Sequence, residues 1–456
     1  MVSNVSLSLC DGLSKQISGL LSAASQRKVL FGVKIIDAES GKLIYAHNAK
    51  KALMPASNMK VVTTAAAVRF LGIDFEYVTQ VGLADGNIVV IGSGGPLFGD
   101  AKTDAYYGRE PGWVLDDIVE KLKGGGVSSV NDIIIDSSVF DDERAHLNWP
   151  ADQLNRWYAC EVCGVNYNDN CVEMTVRRSG NSVKIDVNPA TGFLKLKNEV
   201  RITSSSNEGV GAYRIAGKPN NLVVRGKCRS QQGPFDVAIE RPSVFFGYLL
   251  YEKLTAEGIR VGGKLVERGF ESSKGLKSVC SYRTPLLDCL KRANKDSLGL
   301  SAESLVKTIA YRSSNERKGG SWGRGTDLIS GYLSGLGVEK SEFFIDDGSG
   351  LSRENRLSAN ALCSVLFDIY KKPQWPDFKS SLSIGGVDGT AGKHFTEAQY
   401  KGKVFGKTGY ISGVKSFSGF CAGEKGNYIF SIIANNANSY TRKVINDIVK
   451  TLIDER

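Results

Sequence analysis

The chain has 456 residues, and its 58 Lys or Arg residues outnumber its 48 Asp or Glu residues to give a net charge of +10. Apolar residues make up 42% and charged residues 23% of the chain, which indicates a folded protein and excludes a disordered one. No apolar run approaches the ~20 residues that span a bilayer, and the length predicts two or three domains. The positive charge suits an anionic partner such as nucleic acid, a lipid surface or an acidic cell-wall polymer. Because the basic residues are scattered and form no aromatic-interleaved cluster, no nucleic-acid partner is expected and a generic solvated surface is favoured.

The first elements predict an α+β opening. Asp11–Ala24 has apolar residues at helical spacing and is predicted to be an amphipathic helix. Val29–Ile36 and Lys42–His47 flank a polar segment that contains glycine, a pattern typical of a β-hairpin. The first 22 residues contain no basic segment followed by an apolar core, so no signal peptide is visible. This leaves open a cytosolic protein or an exported one whose signal has been removed.

The next element carries the first chemical motif, a Pro-Ala-Ser-Asn-Met-Lys segment that leads into an Ala-rich apolar run. Pro55 favours a helix start, and the buried helix is predicted to end at Gly72. Ser57 and Lys60 then project from the same face of the first turn. A buried lysine with a lowered pKa can take the proton of a serine hydroxyl, and helix N-terminal N–H groups favour the negative charge that develops. The spacing alone is common, so this Ser–Lys pair needs partners elsewhere in the chain.

The middle of the chain, from about residue 75 to 283, is predicted to be an insertion with little acid–base chemistry. Tyr77–Leu83 and Asn87–Ile91 indicate a second hairpin, Trp113–Leu122 a helix and Val130–Asp136 a strand. Short strand patterns follow between about 165 and 270, namely Val172–Arg177, Ser182–Val187, Asn198–Ile202, Val210–Ile215, Asn221–Arg225 and Asp236–Glu240. We therefore expect a β-rich scaffold or binding module.

Cysteine and histidine patterns give no metal site. Cys160 and Cys163 have Cys-x-x-Cys spacing with Cys171 close behind, but neither a second pair nor nearby histidines complete a zinc site. A redox pair lacks its βαβ context, so buried thiols or a local disulfide are favoured. The three histidines lie in no zinc-hydrolase or Ser-His-Asp motif.

The last third alternates helices with a closing group of strands. Helices are predicted at Pro285–Arg292, Thr326–Leu336, Ser358–Tyr370 and Thr441–Ile453. The segment Asn294–Lys307 is predicted to lead into a further helix. Strands are predicted at Lys403–Gly409, Val414–Ala422 and Asn427–Ala434, and this sheet is expected to pair with the hairpin near the start. The first strand carries Lys407-Thr408-Gly409, which offers an ammonium for a carboxylate, a hydroxyl and room for a substrate backbone. Ser-x-x-Lys and Lys-Thr-Gly occur together in penicillin-binding proteins and class A β-lactamases.

With these motifs in place, the chain resembles the D-alanyl-D-alanine carboxypeptidase/endopeptidases of peptidase family S13, the class C low-molecular-mass penicillin-binding proteins. The resemblance covers most of the chain and rests on the blocks Pro55–Lys60, Asn166–Cys171, Asp347–Ser352, Gly386–Thr390 and Lys407–Gly409. It implies an α+β, serine β-lactamase-like transpeptidase domain, with an antiparallel sheet flanked by helices and two nested β-rich insertions. The implied boundaries are 1–74 and 284–456 for the catalytic domain, 75–96 and 165–283 for domain II, and 97–164 for domain III.

The resemblance also implies roles for individual residues. Ser57 is the expected nucleophile, Lys60 its base, Ser297 a proton relay and Lys407 the fourth catalytic residue. Substrate binding is expected from Thr408, Gly409, Tyr410 and Gly299, with the Ser57 and Tyr410 N–H groups forming the oxyanion hole. The family's Ser-x-Asn motif falls on Ser297-Leu298-Gly299, so that glycine replaces the asparagine that normally bonds the lysine and the substrate amide.

The expected activity is periplasmic cleavage of peptidoglycan stem peptides, with covalent capture by β-lactams and without any metal or organic cofactor. Two alternatives stay open: a binding or scaffold protein of the same fold, weakened by Gly299, and a β-lactamase or esterase. The sequence does not decide between carboxypeptidase and endopeptidase cleavage, and it leaves the oligomeric state open.

Overall fold

The structure is a computed structural model that describes residues 2–271, 275–314 and 319–455, with side chains from residue 12 onward. Its helices are α1 Val2–Leu21, α2 Met59–Leu71, α3 Ala101–Tyr106, α4 Trp113–Gly124, α5 Pro242–Ala256, α6 Leu286–Asn294, α7 Gly299–Arg312, α8 Trp322–Gly335, α9 Ala359–Tyr370, α10 Trp375–Ser381 and α11 Thr441–Ile453. The strands of the first half are β1 Leu30–Asp37, β2 Leu43–His47, β3 Glu76–Ala84, β4 Asn87–Ile91, β5 Ser129–Val130, β6 Ile133–Asp136, β7 Cys171–Ser179, β8 Ser182–Asn188, β9 Lys195–Ile202, β10 Gly209–Ile215 and β11 Lys218–Cys228. The remaining strands are β12 Gln231–Ala238, β13 Arg260–Val261, β14 Leu265–Glu267, β15 Lys277–Pro285, β16 Phe343–Phe344, β17 Arg356–Leu357, β18 Ser383–Ile384, β19 Val404–Ile411, β20 Val414–Ala422 and β21 Asn427–Asn435.

The chain divides into two compact units. The first contains the chain up to Phe75, Leu286–Ser314 and the chain from Gly320 onward, and the second is built mainly from Glu76–Pro285. The further division of the second unit into nested domains II and III stays a prediction.

One antiparallel sheet, ordered β18-β19-β20-β21-β1-β2, organises the first unit. The predicted pairing of the closing strands with the opening hairpin is confirmed, because β1 pairs with β21 over its whole length, from Leu30 opposite Asn435 to Asp37 opposite Tyr428. The strands are apolar on the face covered by α1 and α11, where Ile35, Phe430 and Ile448 belong to one buried core. The two ends of the sequence therefore build a single core.

Helix α2 is buried on all sides, as the Ala-rich run predicts. Residues 59–68 are all buried, and the helix ends at Gly72, whose φ of 81° allows the chain to leave the helix. Small side chains let α7 and α9 pack against α2. The start of α2 is thus fixed from several directions, which matters because it carries Ser57 and Lys60.

The second unit contains more helix than the strand patterns predict. Strands β7 to β12 form two sheets, ordered β12-β7-β8 and β10-β11-β9, and a further sheet is ordered β14-β6-β4-β3-β15. The expectation of strands alone between 165 and 270 is wrong at α5, a 15-residue helix whose apolar residues Phe245, Phe246 and Leu250 are fully buried. A nearly continuous apolar run gives no helical periodicity, so it resembles a buried strand in the sequence.

Candidate active site

Ser57 lies in a short 3₁₀ turn, Ala56–Asn58, that runs directly into α2. Ala56 before it has a φ of 48°, a left-handed conformation that L-residues other than glycine adopt at a cost of about 1–2 kcal/mol. The turn leaves Ser57 partly accessible, whereas Lys60 one turn later is 2% exposed. The Lys60 Nζ lies 3.4 Å from the Ser57 Oγ, so the predicted projection of the two side chains toward each other is observed.

Lys60 is held by a loop from another part of the chain. Its Nζ donates a hydrogen bond of 2.8 Å to the carbonyl oxygen of Ser349. Burial lowers the pKa of Lys60 to about 8, although the charges of Glu303 and Asp347 act in the opposite direction. An ammonium group with this pKa is partly neutral near neutral pH, as a general base requires.

Lys407 and Ser297 form the second half of the site. The Lys407 Nζ donates to the Ser297 Oγ at 3.0 Å and to the Thr408 carbonyl at 2.8 Å. Lys407 is fully buried, and burial together with the charges of Lys60 and Arg442 holds the pKa of its ammonium well below the usual range. Two buried ammonium groups that repel each other favour the state in which one is neutral.

The strand that carries Lys407 touches the turn that carries Ser57. A side chain at Gly409 would place its Cβ 2.1 Å from the Ser416 Oγ and 2.8 Å from the Pro55 carbonyl, so only glycine fits there. Ser416 in β20 closes the contact by donating to the Pro55 carbonyl at 2.6 Å and accepting from the Asn58 Nδ2. The structure therefore brings the two predicted motifs together.

The remaining predicted binding residues lie on β19 and at the start of α7. The Thr408 and Thr390 hydroxyl groups share a hydrogen bond of 2.7 Å. Thr390 belongs to the Gly386–Thr390 block, for which the sequence alone predicts no role. Tyr410 is 71% exposed, and β18 pairs only with Phe405 and Gly406, so the Lys-Thr-Gly part of β19 is not covered by that short strand. Gly299 is buried as the first residue of α7, two residues after Ser297.

Arg442 is a member of this region that the sequence gives no reason to select. Its guanidinium donates to the Gly409 carbonyl at 3.0 Å and to the Ser416 carbonyl at 3.2 Å. Burial lowers the pKa of Arg442 to about 10. Arg442 thus fixes the strands beside Lys407 and adds positive charge there.

Glu303 is a second residue that the motifs do not reveal. It is fully buried in α7 and accepts hydrogen bonds from the N–H groups of Ser349 at 2.7 Å and Gly348 at 2.9 Å, and from the Trp322 indole at 2.8 Å. Burial and the charge of Asp347 raise its pKa to about 7, while these hydrogen bonds act to lower it. Glu303 therefore anchors the loop whose Ser349 carbonyl receives Lys60.

The Cys-x-x-Cys segment has no catalytic character. Cys160, Cys163 and Cys171 are buried free thiols, the first of the two alternatives favoured from the sequence. Burial raises the pKa of Cys163 to about 12, so its reactive thiolate form is scarce. Within the described residues, no group of three or more His, Cys, Asp or Glu side chains has the arrangement of a metal site.

The chain is also similar in sequence to known proteins. The model of the D-Ala-D-Ala carboxypeptidase 3 (S13) family matches residues 13–455. The chain is 26% identical to a D-alanyl-D-alanine carboxypeptidase of Actinomadura sp. (strain R39), over 97% of this chain and 84% of that protein. It is 27% identical to the D-alanyl-D-alanine carboxypeptidase DacB of Haemophilus influenzae, over 84% and 81% of the two chains.

The fold has a solved counterpart. The crystal structure of penicillin binding protein 4 (dacB) from Haemophilus influenzae superposes with a TM-score of 0.79, at 22% identity, over 96% of this chain and 99% of that chain. A second structure of that protein, in complex with a β-lactam, gives a TM-score of 0.75. The predicted α+β architecture is confirmed by this likeness. No helix within the described ranges has the length and apolar character required to cross a membrane.

The Glu303 network generates a stability prediction. Glu303→Gln replaces one carboxylate oxygen, which accepts hydrogen bonds, with an NH₂ group, which donates them. At least one buried N–H group therefore loses its hydrogen-bond acceptor. We expect the free energy of unfolding to fall by about 1–3 kcal/mol, measured by urea denaturation followed by circular dichroism. The matched change Glu339→Gln, at a side chain that is 61% exposed, should leave the unfolding midpoint unchanged. Equal midpoints for both variants would show that Glu303 does not anchor the loop.

Proposed function

Since the chain belongs to the D-Ala-D-Ala carboxypeptidase 3 (S13) family and is a serine-type D-Ala-D-Ala carboxypeptidase, we propose that it cleaves peptidoglycan stem peptides through an acyl-enzyme on Ser57. The observation that carries this proposal is the convergence of Ser57 with two buried lysines. The Lys60 Nζ lies 3.4 Å from the Ser57 hydroxyl oxygen. The Lys407 Nζ contacts the Ser297 hydroxyl, and burial together with the charge of Lys60 lowers the pKa of Lys407.

Substrate binding sets the charges of the two lysines. The carboxylate of the terminal D-Ala sits against Lys407 and Thr408, and an adjacent carboxylate raises the pKa of a lysine. Lys407 becomes the charged member of the pair when the substrate is bound. Its positive charge then disfavours a second one on Lys60, which stays neutral and able to act as a base. The substrate thereby helps to prepare the base that activates the nucleophile.

Acylation then proceeds through three proton transfers. Lys60 takes the hydroxyl proton of Ser57 while the Ser57 oxygen forms a bond to the carbonyl carbon of the penultimate D-Ala. The N–H groups of Ser57 and Tyr410 hold the oxyanion. The C–N bond breaks as Ser297 gives its proton to the departing amine, and the proton held on Lys60 passes back to restore the Ser297 hydroxyl. Water hydrolyses the ester in the second half of the reaction, with Lys60 again as the base.

Location and partners follow from the same proposal. An enzyme acting on peptidoglycan works in the periplasm, and β-lactams, which carry a carboxylate and a reactive carbonyl, acylate the same serine. The β-lactam complex of the Haemophilus influenzae protein supports this part of the proposal. Endopeptidase cleavage of cross-links is a finer part of the proposed activity, which a digest of purified muropeptides tests directly through the products released.

We expect wild-type protein to be labelled covalently by a fluorescent penicillin and Ser57→Ala not to be labelled. The physical reason is that alanine has no oxygen to form the ester. Gel fluorescence after denaturation checks the result, and release of free D-Ala from a D-Ala-D-Ala pentapeptide provides the parallel activity assay. Labelling of both proteins to the same extent would end the assignment of Ser57 as the nucleophile.

A base with a lowered pKa also predicts the direction of the pH dependence. Because Lys60 acts in its neutral form and its pKa is about 8, the kcat/KM for peptide cleavage should rise about tenfold per pH unit below 8 and level off above it. Lys60→Arg should be inactive over the whole range, since a guanidinium does not lose its proton. A profile that falls between pH 6 and 8 contradicts Lys60 as the base.

The replacement of asparagine by Gly299 favours a second candidate function, a binding protein of the same fold with slow chemistry. Asparagine at this position offers an amide that holds the lysine and the substrate together, and glycine offers no side chain. We expect Gly299→Asn to increase the rate of penicillin acylation, by about tenfold for one recovered hydrogen bond of ~1.4 kcal/mol. Stopped-flow acylation measures this rate. An unchanged rate would mean that Gly299 does not limit the enzyme, and the binding-protein candidate would lose its support.

A third candidate, a β-lactamase or esterase, lacks such an observation. It requires rapid deacylation, which the steady-state rate of β-lactam hydrolysis measures in a separate turnover assay.

A further inference from the structure

The net charge of the chain is concentrated in one part of the second unit. Residues 171–238, which contain β7 to β12, carry 11 Lys or Arg and five Asp or Glu residues. Their net charge of +6 is more than half of the +10 of the whole chain. Most of the excess of positive over negative charge therefore lies in this β module, although most basic residues of the chain lie outside it.

Strand register places five of these cations on a single face of the sheet β10-β11-β9. The alternate residues of β9 and β11 pack inward, where Leu222 and Val224 are buried and Leu196 lies against the same core. The opposite face is open to solvent. Its exposed cations are Lys195, Lys197 and Arg201 from β9 and Arg225 and Lys227 from β11.

The arrangement of charges on this face does not serve the stability of the sheet. Arg201 lies directly beside Lys227 in the parallel register, on strands that are about 4.8 Å apart. Like charges on neighbouring strands repel each other. Glu199 is the carboxylate at these outward positions, and it pairs with Lys197 at 2.6 Å. The hydrogen bond and charge of Lys197, followed by the charges of Arg225 and Arg201, lower the pKa of Glu199 from its usual value. One carboxylate leaves the face strongly positive.

An aromatic ring completes the surface. The Tyr213 ring of β10 lies across Gly211, because a Cβ at Gly211 would be 2.9–3.1 Å from its ring and hydroxyl atoms. The Arg225 guanidinium stacks over the same ring, 4.3 Å from its centroid. Tyr213 is still 38% exposed. The face thus combines a flat aromatic group with a grid of cations, whose alternate positions along a strand are about 6.6 Å apart.

We propose that this basic face, defined by Lys195, Lys197, Arg201, Tyr213, Arg225 and Lys227, is a docking surface for the carboxylate-bearing glycan–peptide polymer of the cell wall. The choice of this polymer rests on the proposed function. The polymer presents many carboxylates on flexible peptides, which can pair with several cations at once, and sugar rings, which can contact the exposed part of Tyr213. Binding here holds the enzyme on its insoluble substrate independently of the catalytic serine.

Two other polyanions fit the face less well. A membrane-binding surface normally adds apolar side chains that enter the lipid, whereas the outward positions between these cations are occupied by Asn221, half-buried Val223 and glycine. Single-stranded nucleic acid requires a row of aromatic rings for its bases, and Tyr213 is a single ring covered on one side by Arg225. Charge complementarity together with the substrate class therefore favours the wall polymer.

The test compares sedimentation with purified peptidoglycan sacculi for two variants of equal charge, each in a Ser57→Ala background that prevents cleavage. In the face variant, Lys195, Lys197, Arg201, Arg225 and Lys227 are changed to Gln; in the control variant, the exposed Arg27, Lys28, Lys42, Lys51 and Lys340 are changed to Gln. We expect the face variant to lose at least tenfold in apparent affinity and the control variant less than twofold. Wild-type binding should weaken when salt is raised from about 50 to 300 mM.

Further measurements distinguish a loss of binding from unfolding and from a loss of catalytic activity. Thermal unfolding confirms that the face variant is folded, and the smaller variant Arg201→Gln/Lys227→Gln should show an intermediate loss of binding. With Ser57 present, the face variant should cleave a soluble D-Ala-D-Ala peptide at the wild-type rate. Equal losses in the two five-residue variants, or face-dependent binding to phosphatidylglycerol vesicles with unchanged binding to sacculi, would overturn the inference. Absent peptide cleavage by wild type with intact face-dependent binding would instead refute the proposed function alone.

Discussion

The site depends on the burial of two lysine side chains next to each other. Water solvates an ammonium group so well that burial strongly favours the neutral amine, and a second ammonium nearby adds repulsion. Lys60 and Lys407 are 2% and 0% exposed. Neither is left without polar contacts, because the Ser349 carbonyl accepts from Lys60 while the Ser297 hydroxyl and the Thr408 carbonyl accept from Lys407. The fold thus retains two amines whose proton affinity is low, and this is what makes a serine–lysine chemistry available near neutral pH.

The rest of the first unit keeps these amines in place from segments far apart in the chain. Ser57 and Lys60 come from the start of the chain, Ser297 and Glu303 from the segment that follows the inserted unit, and Lys407 from the closing strands. The sheet that joins β1 to β21 and the contact between Gly409 and the Ser57 turn hold the ends together. Packing of this density transmits small displacements, so a shift of the loop at Ser349 alters the environment of Lys60 without any contact with substrate.

The motifs predict the reacting residues because their chemistry is encoded locally. Ser57 and Lys60 are three residues apart on one turn, and Lys407, Thr408 and Gly409 are consecutive, so each set is visible within a short window. Glu303 and Arg442 have no such signal: their partners, Ser349 and Gly409, lie 46 and 33 residues away, and only tertiary packing brings them close. The basic face escapes detection for a similar reason. Its cations alternate with inward apolar residues on two strands, and the register that aligns them is a property of the folded sheet. Helix α5 is missed because its apolar residues cover its whole circumference.

Strain at the site fits the same physical account. Ala56 and Ser297 both adopt left-handed backbone conformations, with φ values of 48° and 63°. Ala56 directly precedes Ser57, which contacts Lys60, and Ser297 itself contacts Lys407. The Asn58 Oδ1 next to Ser57 is buried and has no hydrogen-bond partner among the described residues. Each feature lowers stability, and the surrounding packing over α2 is dense enough to maintain them. A relaxed turn at Ala56 would change the direction of the Ser57 hydroxyl, and a relaxed Ser297 would move its oxygen relative to Lys407. The unfavourable conformations are therefore what aims the two hydroxyl groups at the two amines, so stability is lost at the same residues where reactivity is gained.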